Sequence, residues 1–357
     1  MSNNTFNIMC ILFDKCNLNC SFCFESNKTK TINSQYINNL PHMFTKCVEE
    51  RHDIDCLEIT MMGGEVFMDT LNDDIFETYK NVCTTTYQLI SDIRPNIDVN
   101  FNWLSNGVFK KKQRVEQLLV ETKSTISFSY DSVGRYPSNV QLNMMKENVK
   151  KFSEAGLLEA ILITPTVKSI NKFVQQQDDI PFLAQYTNKL DLSYYIPGQN
   201  WQSMYPSNNQ LFQFFKSILD RRLFQFKDIC ELLKPFVFDP GQYVVYPTCN
   251  CDDLVTITEA GSTNICVKIN SCLPLERFYG KRANKVTEQT VKFYRKPIGL
   301  AKRGCAQCRH YEYCVKPCWT AVIFDGYVVD QCPFDQTYNY INSNPSIIDD
   351  YLKFVQS

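Results

Sequence analysis

Two rhythms of apolar residues alternate along this chain. Short apolar, β-prone runs occur at residues 6–13 (FNIMCILF), 55–61 (DCLEITM), 97–104 (IDVNFNWL), 124–130 (STISFSY), 159–167 (EAILITPTV) and 189–196 (KLDLSYYI). Between them, residues 34–50, 70–90, 111–122, 139–155 and about 171–186 carry the spacing and length of amphipathic helices. Strand and helix in regular succession predict βαβ units on a parallel sheet. The pattern fits either a partial (β/α)6 barrel or a doubly wound sheet. A helical stretch at 207–234 follows. From about 245 to 335 the segments become short and cysteine-rich, which predicts a second, smaller domain with a metal core. Residues 346–355 (SIIDDYLKFV) predict a final amphipathic helix. The expected organisation is 1–240 as a catalytic domain, 241–340 as the cysteine-rich domain, and 341–357 as a helical tail.

Composition narrows the chemistry. The 357 residues are 44% hydrophobic, enough for a sizeable core. A net charge of −1 gives no electrostatic case for nucleic acid or an anionic membrane. The run Lys110–Lys112 reads as a solvated helix start. There is no run of 18 apolar residues and no secretory signal in the opening Met-Ser-Asn-Asn-Thr, so a cytoplasmic protein is expected. Seventeen cysteines against three histidines point to iron–sulfur ligation rather than disulfides or mixed zinc sites.

Cys16, Cys20 and Cys23 form C-x3-C-x2-C just after the first strand, with the aromatic Phe22 before the last cysteine. A cubane cluster takes four thiolates, so a tight trio suggests a [4Fe–4S] cluster with one iron open to a small molecule. The second strand ends in Met62-Gly63-Gly64-Glu65, where glycines allow close approach of a ligand and a carboxylate can pair with an ammonium group. Leu104-Ser105-Asn106-Gly107 closes the third strand and Ser129-Tyr130-Asp131 the fourth; each is equally a turn or helix cap. Arg135 lies in the polar loop that follows.

These residues resemble the radical S-adenosylmethionine (SAM) superfamily. The resemblance implies a partial (β/α)6 barrel with its active site at the C-terminal strand ends. It also implies SAM chelated at the open iron and cleaved to a 5′-deoxyadenosyl radical, which removes a hydrogen atom from substrate. Gly63, Gly64 and Glu65 would contact the SAM amino group, Ser105, Asn106 and Ser129 its ribose and carboxylate, and Arg135 could pair with the carboxylate.

A second cysteine set follows. Cys251, Gly261 and Cys266 make C-x9-G-x4-C, then Cys305, Cys308, Cys314 and Cys318 make C-x2-C-x5-C-x3-C, and Cys332 stands beyond. A structural zinc ribbon is the plain alternative. The order resembles the SPASM domain, which holds two auxiliary [4Fe–4S] clusters and brings the total to three. By that interleaved pattern Cys251, Cys266 and Cys318 serve the first auxiliary cluster, and Cys305, Cys308, Cys314 and Cys332 the second. Cys249 or Cys272 supplies a fourth ligand to the first, or neither does and an iron stays open. Cys10, Cys47 and Cys56 sit in apolar stretches and read as packing. Tyr194, Tyr195 and Trp201 follow the sixth strand and read as core or interface.

The resemblance implies a radical SAM oxidoreductase. Its first reading is a maturase that oxidatively modifies a ribosomal precursor peptide (a RiPP), forming a C–C or thioether cross-link. With the trio starting at residue 16, a separate leader-recognition protein or direct docking would engage the peptide. An electron donor such as flavodoxin or ferredoxin is also implied. The alternatives are an anaerobic sulfatase-maturating enzyme and a small-molecule SAM-dependent dehydrogenase. The sulfatase reading is weakened by Val267 where that family places an aspartate base. Asp252, Asp253 and Asp330 are equally turn residues, and no catalytic base is identified. A third class, a non-catalytic iron–sulfur carrier, fits poorly with an intact trio beside Gly63-Gly64-Glu65.

Overall fold

The computed structural model describes residues 4–20, 22–23, 32–51, 54–131, 133–193, 204, 206–238, 254–257, 263–264, 308–310, 314 and 332–356. Strands β1 (Thr5–Ile11), β2 (Cys56–Met62), β3 (Asp98–Ser105), β4 (Thr125–Tyr130), β5 (Leu158–Ile163) and β6 (Leu190–Leu192) lie side by side in chain order. Two further strands, β7 (Leu254–Ile257) and β8 (Thr263–Asn264), extend the sheet beyond β1. A doubly wound sheet reverses direction at its first strand. From β1 to β6 the order never reverses, so the α/β architecture is that of a partial (β/α)6 barrel.

Helices α1 (Ser34–Glu49), α2 (Asp73–Ile93), α3 (Lys112–Glu121) and α4 (Asn139–Glu154) link the first five strands. Local chemistry sets their starts. Asn33, Asn72 and Ser138 each accept a backbone N–H from the first turn of α1, α2 and α4. That cap moves the start of α2 from the expected 70 to Asp73. In β1 the alternate residues Phe6, Ile8 and Cys10 are buried, the period of a strand covered on one face.

Contact density divides the chain into two compact units. The first comprises Met1–Tyr130, Arg135–Ile161 and Cys251–Val267; the second comprises Asp131–Gly134, Leu162–Asn250 and Lys268–Ser357. Residues 254–257 pair in parallel with β1, Cys10 opposite Ile257.

The first unit is built around rings. Trp103 lies 4.8 Å from Tyr79 and 5.6 Å from Phe67, and its indole N–H donates to Ser124 Oγ at 3.1 Å. Such rings bury large apolar area, and the buried indole keeps a partner.

Among its described residues the second unit holds β6, the end of β5 and the helices α5 (Val167–Val174), α6 (Ile180–Leu183), α7 (Asn208–Asp220), α8 (Lys227–Val237), α9 (Pro333–Asn342) and α10 (Ser346–Gln356). The single helix expected over 171–186 is two. Thr166 and Ser169 form a capping box that starts α5 at Val167 and ends β5 early. Gln176, at φ 58°, then breaks the run. The stretch 207–234 likewise divides where Arg222 takes φ 56°. Of the expected strand 189–196 only Leu190–Leu192 forms, and residues 194–196 lie outside the described set. Phe173 against Phe214 (4.8 Å) and Phe215 against Phe334 (5.3 Å) hold α5, α7 and α9 together. Among the described residues no helix is long and apolar enough to cross a membrane.

Candidate active site

Parallel pairing brings the candidate motifs to one end of the sheet. Ile11 pairs with Met62, Met61 with Trp103, and Ser105 with Phe128, so β1 to β4 finish in register. At those ends lie the cysteine loop, Gly63–Glu65, Ser105–Gly107 and Ser129.

Residues 12–15, which lead to Cys16, continue to bond along the end of β2. Leu12 N–H donates to Met62 O at 2.8 Å, Gly64 N–H to Phe13 O at 2.7 Å, and Glu65 N–H to Lys15 O at 2.9 Å. A Cβ at Gly63 would collide with the Phe13 carbonyl, and one at Gly64 with the Lys15 carbonyl. The Cβ positions of both glycines face the chain's own backbone, and the close approach fixes the cysteine loop onto β2.

Glu65 is 1% exposed. Its Oε1 accepts Phe67 N–H at 3.0 Å and Ser105 Oγ–H at 2.7 Å, and its Oε2 accepts Asn106 N–H at 2.6 Å. The carboxylate therefore clamps the end of β3 to the end of β2. Burial raises its pKa from 4.5 to about 7, against the lowering pull of these three donors and of the Arg135 charge.

Both strand-end motifs are anchored from behind by an aromatic ring. Phe67 follows Glu65 by two residues and Phe109 follows Asn106 by three; their rings meet edge-on at 5.7 Å. Gly107 takes φ +77°, and a side chain there would press on Met145 Cγ at 2.6 Å. Asn148 donates to the carbonyls of Gly107 (2.8 Å) and Phe109 (3.0 Å), satisfying the turn from α4.

The cysteine loop is fastened to β3 by two asparagines. Asn17 Nδ2 donates to Val108 O at 2.6 Å, and Asn106 Nδ2 donates to Asn17 Oδ1 at 2.8 Å. Cys16 Sγ receives Leu18 N–H at 3.4 Å and Asn106 Nδ2 at 3.7 Å. Hydrogen bonds to a ligating sulfur tune the potential of a bound cluster. Cys20 N-terminates a turn closed by Cys23 N–H on Cys20 O at 3.1 Å, and its thiol reaches the Arg135 carbonyl at 3.9 Å. The Arg135 guanidinium lies over the Phe22 ring at 5.1 Å. Tyr136 Oη is within hydrogen-bond reach of Asn106 O (3.1 Å) and Ser129 O (2.9 Å), joining the ends of β3 and β4.

Cys16, Cys20 and Cys23 are all half-buried and in no disulfide. Their donor type, shared loop and accessibility fit a cluster bound by thiolates. Among the described residues, no three Cys, His, Asp or Glu side chains converge as a ready metal site. Cys10, Cys56 and Cys83 are buried, and burial pushes the Cys10 thiol up to about 12, the behaviour of packing cysteines.

Of the second cysteine set, Cys308, Cys314 and Cys332 are described, half-buried and in no disulfide. Cys249, Cys251, Cys266, Cys305 and Cys318 lie outside the described residues, as do Cys272, Tyr194, Tyr195, Trp201 and Val267. Sequence reasoning missed Asn17, Phe67, Phe109 and Tyr136. The signal available for the two phenylalanines was an aromatic residue two or three positions past each strand-end motif.

No family model and no curated protein matches the chain. Solved structures do. Streptococcus suis SuiB bound to precursor peptide SuiA superposes with a TM-score of 0.59 at 15% identity, covering 92% of this chain and 76% of that one. SuiB bound to S-adenosylmethionine gives 0.53 at 14% identity, covering 93% and 76%. A further SuiB structure gives 0.52 at 14%, covering 92% and 77%. At such identities the likeness is one of fold: this chain shares the architecture of SuiB.

Proposed function

We propose that this chain is a radical SAM enzyme with a SPASM extension that oxidatively modifies a ribosomal precursor peptide, through a C–C or thioether cross-link. The observation that carries the reading is the fastening of the Cys16–Cys23 loop to the ends of β2 and β3. The fold it shares with SuiB, one of whose structures holds a precursor peptide and another S-adenosylmethionine, supports the same reading.

Cys16, Cys20 and Cys23 would hold the SAM-binding [4Fe–4S] cluster, and Gly63, Gly64, Ser105, Asn106 and Ser129 would border SAM. When bound, cluster and SAM supply a carbon radical able to remove a hydrogen atom from an unactivated C–H bond. The chain's own residues supply position. The backbone of 13–15 against Gly63–Gly64 fixes the height of the cysteine loop above the sheet. The Glu65 carboxylate would set the orientations of Ser105 and Asn106 and, with Gly63 and Gly64, contact the SAM amino group, since its Oε2 accepts only one of the three internal donors. Tyr136 orients the carbonyls of Asn106 and Ser129. Asn106 both orients Asn17 and donates to Cys16 Sγ, so the ligand loop and the SAM border are held by one side chain.

Cys305, Cys308, Cys314 and Cys332 would hold one auxiliary cluster, and Cys251, Cys266 and Cys318, with Cys249 or Cys272 or no fourth cysteine, the other. The partners of this reading are the precursor peptide, engaged through a separate leader-recognition protein or by direct docking, and a flavodoxin- or ferredoxin-type electron donor.

The test is anaerobic reconstitution with iron and sulfide, reduction, and chromatography for 5′-deoxyadenosine. The reading expects the nucleoside from the parent chain and none from Cys16→Ala, Cys20→Ala or Cys23→Ala. Failure of the fully reconstituted parent to cleave SAM would overturn it in favour of a passive iron–sulfur carrier.

A further inference from the structure

Helices cover one face of the sheet. Phe101 meets Phe44 of α1 at 6.3 Å, Trp103 meets Tyr79 of α2 at 4.8 Å, and Phe128 meets Phe152 of α4 at 6.0 Å. Side chains alternate along a strand, so the residues between these point to the opposite face, which lines the inside of a barrel. On that face the parallel register sets Asn7 of β1, Glu58 of β2 and Asn100 of β3 in one row. Met9, Thr60 and Asn102 form the next row toward the strand ends, and Thr5, Cys56 and Asp98 the row behind.

Parallel strands are ordinarily covered on both faces and read as near-continuous apolar runs, and a closed barrel fills its inside with branched apolar side chains. This face is polar instead, and Glu58, Asp98 and Asn100 on it are exposed. Its charge has one sign. Strands β1 to β4 hold no lysine, arginine or histidine, and Glu58 and Asp98 are their two charged residues. The two carboxylates are diagonal neighbours, where like charges destabilise a sheet. Cys56 lies between them; burial first, and then the charges of Glu58 and Asp98, push its thiol up. Asn100 gives an N–H to Cys56 Sγ at 3.4 Å, which leaves it a second N–H and a carbonyl oxygen.

We propose that the face of β1 to β3 around Glu58 docks the substrate peptide and takes a segment that carries a lysine or arginine. This docking rests on the peptide-modifying reading above. A cation there relieves the repulsion between Glu58 and Asp98. The amide groups of Asn7 and Asn100, on either side of Glu58, match the N–H and C=O groups of a peptide backbone. Glu58 precedes Met62 by four residues, so it stands about 13 Å along the strand from the end where Gly63–Glu65 begins. An extended chain covers that span in about four residues. A peptide can therefore hold a basic side chain at Glu58 and present another residue at the strand ends. A free amino acid cannot reach both.

A random library of short peptides displayed on messenger RNA is selected against the immobilised full-length parent, Glu58→Gln and Glu58→Lys. Peptides from the parent selection are then measured by fluorescence anisotropy against each chain, and incubated anaerobically with SAM and the reconstituted, reduced parent. The proposal expects the parent to enrich lysine and arginine, and Glu58→Lys to enrich acidic residues. Parent-selected peptides should bind Glu58→Gln about fivefold more weakly. A mass change should fall about four residues from the basic one. The same peptides from parent and Glu58→Lys would overturn the docking surface, whatever the chain does to SAM. No peptide selected by the parent, with a dimer that Glu58→Lys dissociates, would assign the face to a second copy of this chain and overturn peptide docking. Charge-dependent selection by a chain that never cleaves SAM would uphold the docking surface and overturn the reading of the bound peptide as substrate.

Discussion

Ser105 Oγ donates to Glu65 Oε1 at 2.7 Å, and this bond locks the end of β3 to the end of β2. Asn106 N–H on Oε2 doubles the clamp. A charged carboxylate with 1% exposure is costly, and the cost appears as the raised pKa.

That shift predicts a pH dependence. Between about 4.5 and about 7 the folded chain holds a proton on Glu65 that the unfolded chain has released. Stability contributed by Glu65 is therefore greatest below pH 4.5 and falls as pH rises to 7, by on the order of 3 kcal/mol. Denaturant titrations of the cofactor-free parent and of Glu65→Gln, which cannot ionise, isolate the effect. Their difference in unfolding free energy should decline for the parent across this window and level off above it. A flat or rising difference would mean that Glu65 is not the strained carboxylate described.

Gly64→Ala tests the fastening of the cysteine loop. The new methyl group meets the Lys15 carbonyl, which is backbone and cannot swing aside. A loss of about 1–3 kcal/mol is expected, read as a lower urea midpoint, together with poorer iron uptake at Cys16, Cys20 and Cys23. An unchanged midpoint with normal iron uptake would show that the loop has another path past β2.

Tyr136→Phe removes one hydroxyl and leaves the ring in place. The carbonyls of Asn106 and Ser129 lose their shared donor, a cost of about 1 kcal/mol. Equilibrium dialysis should show weaker SAM binding with iron content unaltered. Parent-like affinity would confine Tyr136 to packing.

On the proposed reading Cys314 and Cys318 should behave differently from the trio. Cys314→Ala or Cys318→Ala should still cleave SAM while forming no modified product, because an electron leaving the substrate would then have lost its path. Normal product formation by either variant would exclude that path.

Much of this was legible in the sequence because β-strand and helix periods differ so clearly. The six strands lie within a few residues of their expected places, and the order of β1 to β6 then selects the partial barrel over the doubly wound sheet. The breaks at Gln176 and Arg222 were not legible, since each is a residue type that ordinarily continues a helix. Nor was the pairing of 254–257 with β1, because a strand's neighbour is set by long-range contact and not by its own pattern. At the site, spacing singled out Cys16, Cys20, Cys23 and Glu65. It gave no hint that Glu65 would accept from Ser105 and Asn106, nor that Asn17 and Tyr136 would join the strand ends, because most of those bonds span 30 to 91 positions or depend on which way a side chain turns.

The most direct test of the central claim is the accurate mass of a short peptide encoded beside this gene, after co-expression with this chain. The account predicts loss of two hydrogens, or a multiple, with the parent chain and an unchanged mass with Cys16→Ala. An unchanged mass with a parent chain that still cleaves SAM would contradict peptide maturation and direct the search to sulfatases and small molecules.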